Sequence, residues 1–220
     1  MDNNQITIDY FSDILCVWAW ISQRRVDELN KHFKSKINIR YQFIDIFGDT
    51  KTRIETQWAN KGSYEGFGEH VIRSAEPYES ATVSDKVWHH TRPTTSANAH
   101  LAVKAVELTH SIDLAIDFTS TLRSAFFAEA KDISNLDTIY SIAEDKALDV
   151  NKIQFAIVCG EAMAALMCDY QNAKDYGIKG SPCFVMNEGR QILFGNVGYR
   201  VLQTNIDELI KQPLNEASWC

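Results

Sequence analysis

Apolar and polar positions alternate along two short stretches near the start of the chain. Residues 5–11 place Ile6, Ile8 and Tyr10 on one face, and residues 37–46 (INIRYQFIDI) repeat the pattern more strongly, so both read as strands. Between them Trp18, Ile21, Val26 and Leu29 recur about one helical turn apart, with Gln23, Arg24, Arg25, Asp27 and Glu28 on the wet side. Strand, helix and strand within about forty residues predict a parallel pair joined by a right-handed crossover.

The pattern then turns helical from residue 48 to 176. Helices are expected over 96–109, 112–128, 136–147 and 152–176, with Asp149 or Asn151 capping the last. Strand signals return at 183–186 and 191–194, separated by Asn187, Glu188 and Gly189, as in an antiparallel hairpin. An amphipathic helix over 199–211 follows, facing Val201, Leu202, Ile206, Leu209 and Ile210 inward, and Pro213 stops it. The expected domains are a discontinuous unit of 1–47 and 177–213, a helical insertion of 48–176, and a tail of 214–220.

Composition narrows the classes of function. A chain of 220 residues with 45% hydrophobic content can bury one good-sized core. Its 22 Lys and Arg against 29 Asp and Glu give a net charge of −7, with no basic run to follow a phosphate backbone, so nucleic acid is not an expected partner. The acidic, polar N-terminus and the lack of a long apolar window predict a cytoplasmic protein that does not enter membranes. Five widely spaced cysteines, an odd number, argue against a disulfide framework.

Among them Cys16 stands where the first helix begins. Unpaired backbone N–H groups and the helix dipole at such a place favour thiolate over thiol. Cys183 shares a strand face with Val185 and reads as interior packing, and Cys159 and Cys168 read as fillers of an apolar helix. Trp18 is assigned to the rim of a site and Trp20 to the core. His89, His90 and His100 have irregular spacing and no completing ligand, so no metal is expected. Asp145, Asp149 and Asp175 fall at helix ends and read as caps.

Three phrases, in order, resemble one family. Asp13 followed by Cys16-Val17-Trp18-Ala19-Trp20 is similar to the C-x-W-C motif, with Trp or Tyr after it, of DsbA-like thioredoxin-domain proteins. Residues 122–133 (LRSAFFAEAKDI) are similar to a phrase of their helical insertion. Residues 177–185 (GIKGSPCFV) look like their loop with a cis proline, here Pro182. The family includes disulfide oxidoreductases and isomerases, with kappa-class glutathione transferases and 2-hydroxychromene-2-carboxylate isomerases among its relatives. The resemblance implies an α/β thioredoxin fold, a mixed four-stranded core sheet with a large all-helical insertion.

It also implies a site: Cys16 as nucleophile, Val17, Trp18 and Ala19 as its motif, and Ser181 and Pro182 as the loop that receives substrate. Ala19 replaces the second cysteine and Val17 a common proline. The implied activity is thiol-disulfide exchange through one cysteine, with no bound cofactor, glutathione as a possible co-substrate, and peptide or protein thiols and disulfides as partners. Two alternatives stay open. One is a glutathione-dependent transferase or isomerase acting on a small apolar electrophile, against which the run Gly195-Asn196-Val197-Gly198 lacks the acid expected to hold the glutamyl end. The other is a non-enzymatic binding scaffold. A homodimer is also left open.

Overall fold

The computed structural model describes residues 5–211. Its sheet has four strands, β1 (Ile6–Ser12), β2 (Ile37–Phe43), β3 (Cys183–Met186) and β4 (Gln191–Phe194), in the order β2-β1-β3-β4. β1 runs parallel to β2, pairing Ile6 with Ile37, and antiparallel to β3, pairing Phe11 with Cys183. β3 and β4 form the expected hairpin. The crossover helix α1 (Val17–Phe33) joins β1 to β2.

Between β2 and β3 run seven helices, α2 (Thr50–Gln57), α3 (Ser63–Ala75), α4 (Ala97–Thr109), α5 (Ile112–Phe127), α6 (Leu136–Asp145), α7 (Val150–Val158) and α8 (Glu161–Asp175). α9 (Tyr199–Ile210) follows the hairpin. The helix expected over 152–176 is thus two, because Gly160 adopts a left-handed φ of 89° and ends one helix where the next begins. Asp149 caps α7 by accepting from Lys152 N–H (3.2 Å), whereas Asp145 and Asp175 are the last residues of their helices and cap no helix start. No single helix among the described residues is long and apolar enough to cross a membrane. The tail 214–220, with Cys220, and Pro213 lie outside the described residues.

Both faces of β1 are covered. Ile8 and Tyr10 pack with Val26 and Leu29 of α1 and with Leu202 and Ile206 of α9 on one side. Phe11, Cys183 and Val185 pack with Ala173 of α8 on the other. Val201, expected to face in, is exposed. The largest core joins residues 14–21 to the insertion, and it contains Cys16, Val17 and Ala19 together with Phe47, Phe67, Trp88 and Phe126.

Candidate active site

The turn after β1 carries the site. Cys16 takes extended backbone angles as the N-cap of α1, and its carbonyl accepts from the N–H groups of Ala19 (3.0 Å) and Trp20 (3.1 Å). Its thiol donates to the carbonyl oxygen of Ser181 (3.2 Å), and the Ser181–Pro182 bond is cis. The Ser181 hydroxyl accepts from Asp13 N–H at 2.9 Å, so the loop before β3 is stitched to the turn at both ends of the serine. The loop therefore meets the turn at Cys16 and Asp13, with Val17 and Ala19 following Cys16 in the buried first turn of α1 and Pro182 following Ser181. Trp18 and Trp20 are both half-buried, which corrects the division into rim and core: Trp20 stacks on Phe127 and donates from Nε1 to the carbonyl of Thr82.

The electrostatics differ from the sequence expectation. Cys16 keeps only 7% of its surface, and burial pushes its thiol above the ordinary value. The Ser181 hydroxyl and the amides of Ala19 and Trp18 pull the other way, and the carboxylate of Asp13 adds to the rise. The favourable amides at the helix start are present as expected. They are outweighed because Cys16 is buried in a core that it shares with the insertion, leaving the charged form desolvated.

The other thiols also fall into place by burial. Cys183 is sealed in the sheet core and its thiol is pushed up to about 12 by desolvation. Cys159 and Cys168 are exposed, which corrects their reading as fillers: one follows the last turn of α7 and the other lies on the outer face of α8.

Beneath Cys16 is a polar cluster that sequence reasoning left without a role. Asp13 is completely buried; one carboxylate oxygen accepts from Leu15 N–H (2.9 Å), the other from Phe47 N–H and the Ser96 hydroxyl (both 2.8 Å). Burial pushes its carboxyl up to about 6 in spite of those donors. His100, equally buried, accepts from Ile14 N–H at Nε2 (3.1 Å), and burial holds it well below the ordinary histidine range. It is therefore neutral, and its Nδ1 hydrogen faces the hydroxyl of Tyr170 (3.2 Å). Arg123 of α5 donates to Gln23 and Ser12 nearby, and its charge acts on both Asp13 and His100.

These residues could be suspected only from polar letters inside apolar runs, such as His100 between Ala99 and Leu101 or Arg123 between Leu122 and Ala125-Phe126-Phe127. Trp88 is fully buried and lines no open groove, whereas Tyr64 and His70 are half-buried. Among the described residues, no cluster of His, Cys, Asp and Glu is arranged to hold a metal. Asn196, in the run expected to lack an acid, accepts from Arg25 and donates to the Tyr78 hydroxyl at 2.8 Å.

The model of the DSBA-like thioredoxin domain matches residues 7–207. The chain belongs to that family. Within the DSBA-like fold, its structure resembles the cytosolic disulfide reductase DsbM from Pseudomonas aeruginosa, with a TM-score of 0.67 and 16% identity over 92% of this chain and 99% of that one. It also resembles a 2-hydroxychromene-2-carboxylate isomerase, with a TM-score of 0.66 and 15% identity over 94% and 97% of the two chains. These likenesses carry the fold. In sequence, the ClpXP adapter protein SpxH of Halalkalibacterium halodurans is 26% identical over 180 residues, which cover 80% of this chain. The match spans 56% of that relative's length.

Proposed function

We propose that this DSBA-like protein exchanges thiols and disulfides through Cys16 alone, in an isomerase or reductase mode, with the mixed disulfide resolved by an external thiol such as glutathione. The observation that carries the reading is the contact between the Cys16 thiol and the Ser181 carbonyl beside Pro182, with a methyl group at Ala19 in place of a resolving sulfur. In the reaction the Cys16 thiolate attacks one sulfur of a substrate disulfide. A new S–S bond forms, the old one breaks and the other substrate sulfur leaves as thiolate. A second thiolate, from the substrate or from glutathione, then attacks the mixed disulfide and returns Cys16.

The raised thiol value of Cys16 bears on direction. A strong oxidant needs a stabilised leaving thiolate, and a sulfur whose charged form is disfavoured leaves slowly. The mixed disulfide therefore persists, which suits the isomerisation of a held substrate or reduction by an abundant thiol better than oxidation. A reducing compartment would supply that thiol, and the structural neighbour DsbM, described as cytosolic, is also known with GSH.

The test is recovery of scrambled ribonuclease activity in glutathione buffer, with Cys16→Ser as the control. Recovery that depends on Cys16 supports the reading, and equal recovery with the serine variant overturns it. A parallel assay with a chlorinated aromatic electrophile plus glutathione reads out the transferase alternative.

A second reading, a binding protein without chemistry, is favoured by the same buried thiol and missing partner sulfur, and by a relative named as an adapter. Silence of the folded wild-type protein in both assays, together with saturable binding of an extended peptide, selects it.

A further inference from the structure

One charged group near Cys16 takes no part in the exchange chemistry. Arg123 comes from the insertion and is completely buried. Its Nη1 donates to Oε1 of Gln23 in α1 (2.6 Å), and its Nη2 donates to Oγ of Ser12 at the end of β1 (2.7 Å). These two acceptors lie on either side of the Cys16 turn, so one rigid fork holds both flanks of it. Gln23 relays the contact outward, donating from Nε2 to Asp27 (2.9 Å) and to the Tyr41 hydroxyl (3.2 Å). Among the described residues no carboxylate touches the guanidinium, and its Nε finds no hydrogen-bond partner.

Burying a guanidinium against neutral acceptors is costly, and an apolar side chain would pin a helix to a strand more cheaply. What an apolar side chain cannot supply is charge. The titratable groups around it are Tyr10 on β1, Asp13 in the turn, Tyr41 on β2 and His100 on α4, with Asp27 on α1 reached through Gln23. The charge of Arg123 acts on the first four, while the charges of Cys16 and Asp13 act on Tyr10 and Cys16 in turn.

We propose that Arg123 is a positioning residue for Cys16: its fork fixes the turn from both sides, and its charge offsets the carboxylate of Asp13 when the sulfur gives up its proton. The assignment rests on Cys16 being the nucleophile of the reading above.

The experiment is the pH dependence of Cys16 alkylation by iodoacetamide, resolved by peptide mass spectrometry, in wild type, Arg123→Lys and Arg123→Met, with Cys16→Ser marking the signal. Loss of the charge moves the midpoint upward, so that the reaction below it slows severalfold. Arg123→Lys, which keeps the charge without the fork, holds the midpoint within a few tenths and lowers the plateau rate severalfold. A merely structural arginine would lower the plateau in both variants and leave the midpoint in place, and that result overturns the proposal. Should Arg123→Met fail to fold by circular dichroism, Arg123→Gln supplies the neutral comparison. Labelling at Cys16 with an unmoved midpoint removes this inference alone, whereas no labelling at Cys16 in wild type removes the exchange reading with it.

Discussion

Ala19 has no exposed surface and lies one turn after Cys16, the separation at which an N-cap side chain and the third helical residue face each other. A sulfur placed there meets the thiol rather than solvent. Ala19→Cys is therefore expected to form an internal disulfide: after diamide treatment and denaturation it shows one free thiol fewer than wild type by thiol titration, at a cost of about 1 kcal/mol for overpacking before oxidation. Burial of the sulfur also sets the wild-type behaviour. Cys16 alkylation is expected to have its midpoint above that of an unperturbed thiol, so at pH 6 the exposed Cys159 and Cys168 react first; faster labelling of Cys16 there would contradict the burial. At this scale the family resemblance, rather than any local pattern, implied that the Ser181-Pro182 loop lies beside the start of the first helix, and the structure has Cys16 in contact with Ser181 there. The sequence did not reveal the charge state of the thiol, because the burial of Cys16 arises in a core shared with the insertion, which no local pattern marks.

Single residues also decide where the helices begin and end. The sequence pattern found β3, β4, α4, α5 and α9 to within a residue or two, where periodicity and flanking breakers agree. It missed the break at Gly160, because an apolar pattern continues across it, and α2 and α3, whose polar faces hide their short buried stripes. Gly160→Ala forces a side chain into left-handed backbone with open space around it and should cost about 1 kcal/mol in denaturant unfolding. Gly66→Ala is different, since its new carbon would stand 1.7 Å from the backbone oxygen of Lys61. That clash should cost about 3 kcal/mol or more by the same measurement.

The edge strand β2 gives an element-scale prediction in pH. Asp169 of α8 accepts from Phe43 N–H (3.1 Å) and pairs with Lys104 (3.3 Å), and burial pushes its carboxyl from 3.8 up to about 6. The folded state thus holds the proton longer than the unfolded state. The contribution is complete below about pH 3.8 and is lost as the pH rises through about 6. Asp169→Asn should remove that step, making the change in denaturation midpoint between pH 4.5 and pH 7.5 smaller than in wild type.

For the whole molecule, the sheet and the insertion are tied through one core, because residues 14–21 pack with Phe67, Trp88 and Phe126 rather than only against their own strands. Trp18 and Trp20 in α1 and Trp88 in the insertion share that core, so their fluorescence and the helical circular dichroism signal are expected to change at one denaturant concentration. Two separated transitions would show that the units hold themselves up independently. The sulfur of Cys16 lies in this seam. Anything joined to it covalently becomes a wedge where the sheet and the insertion meet. Loading of the thiol would then be transmitted as faster amide exchange across the far helices, and the chain would signal an occupied state by loosening.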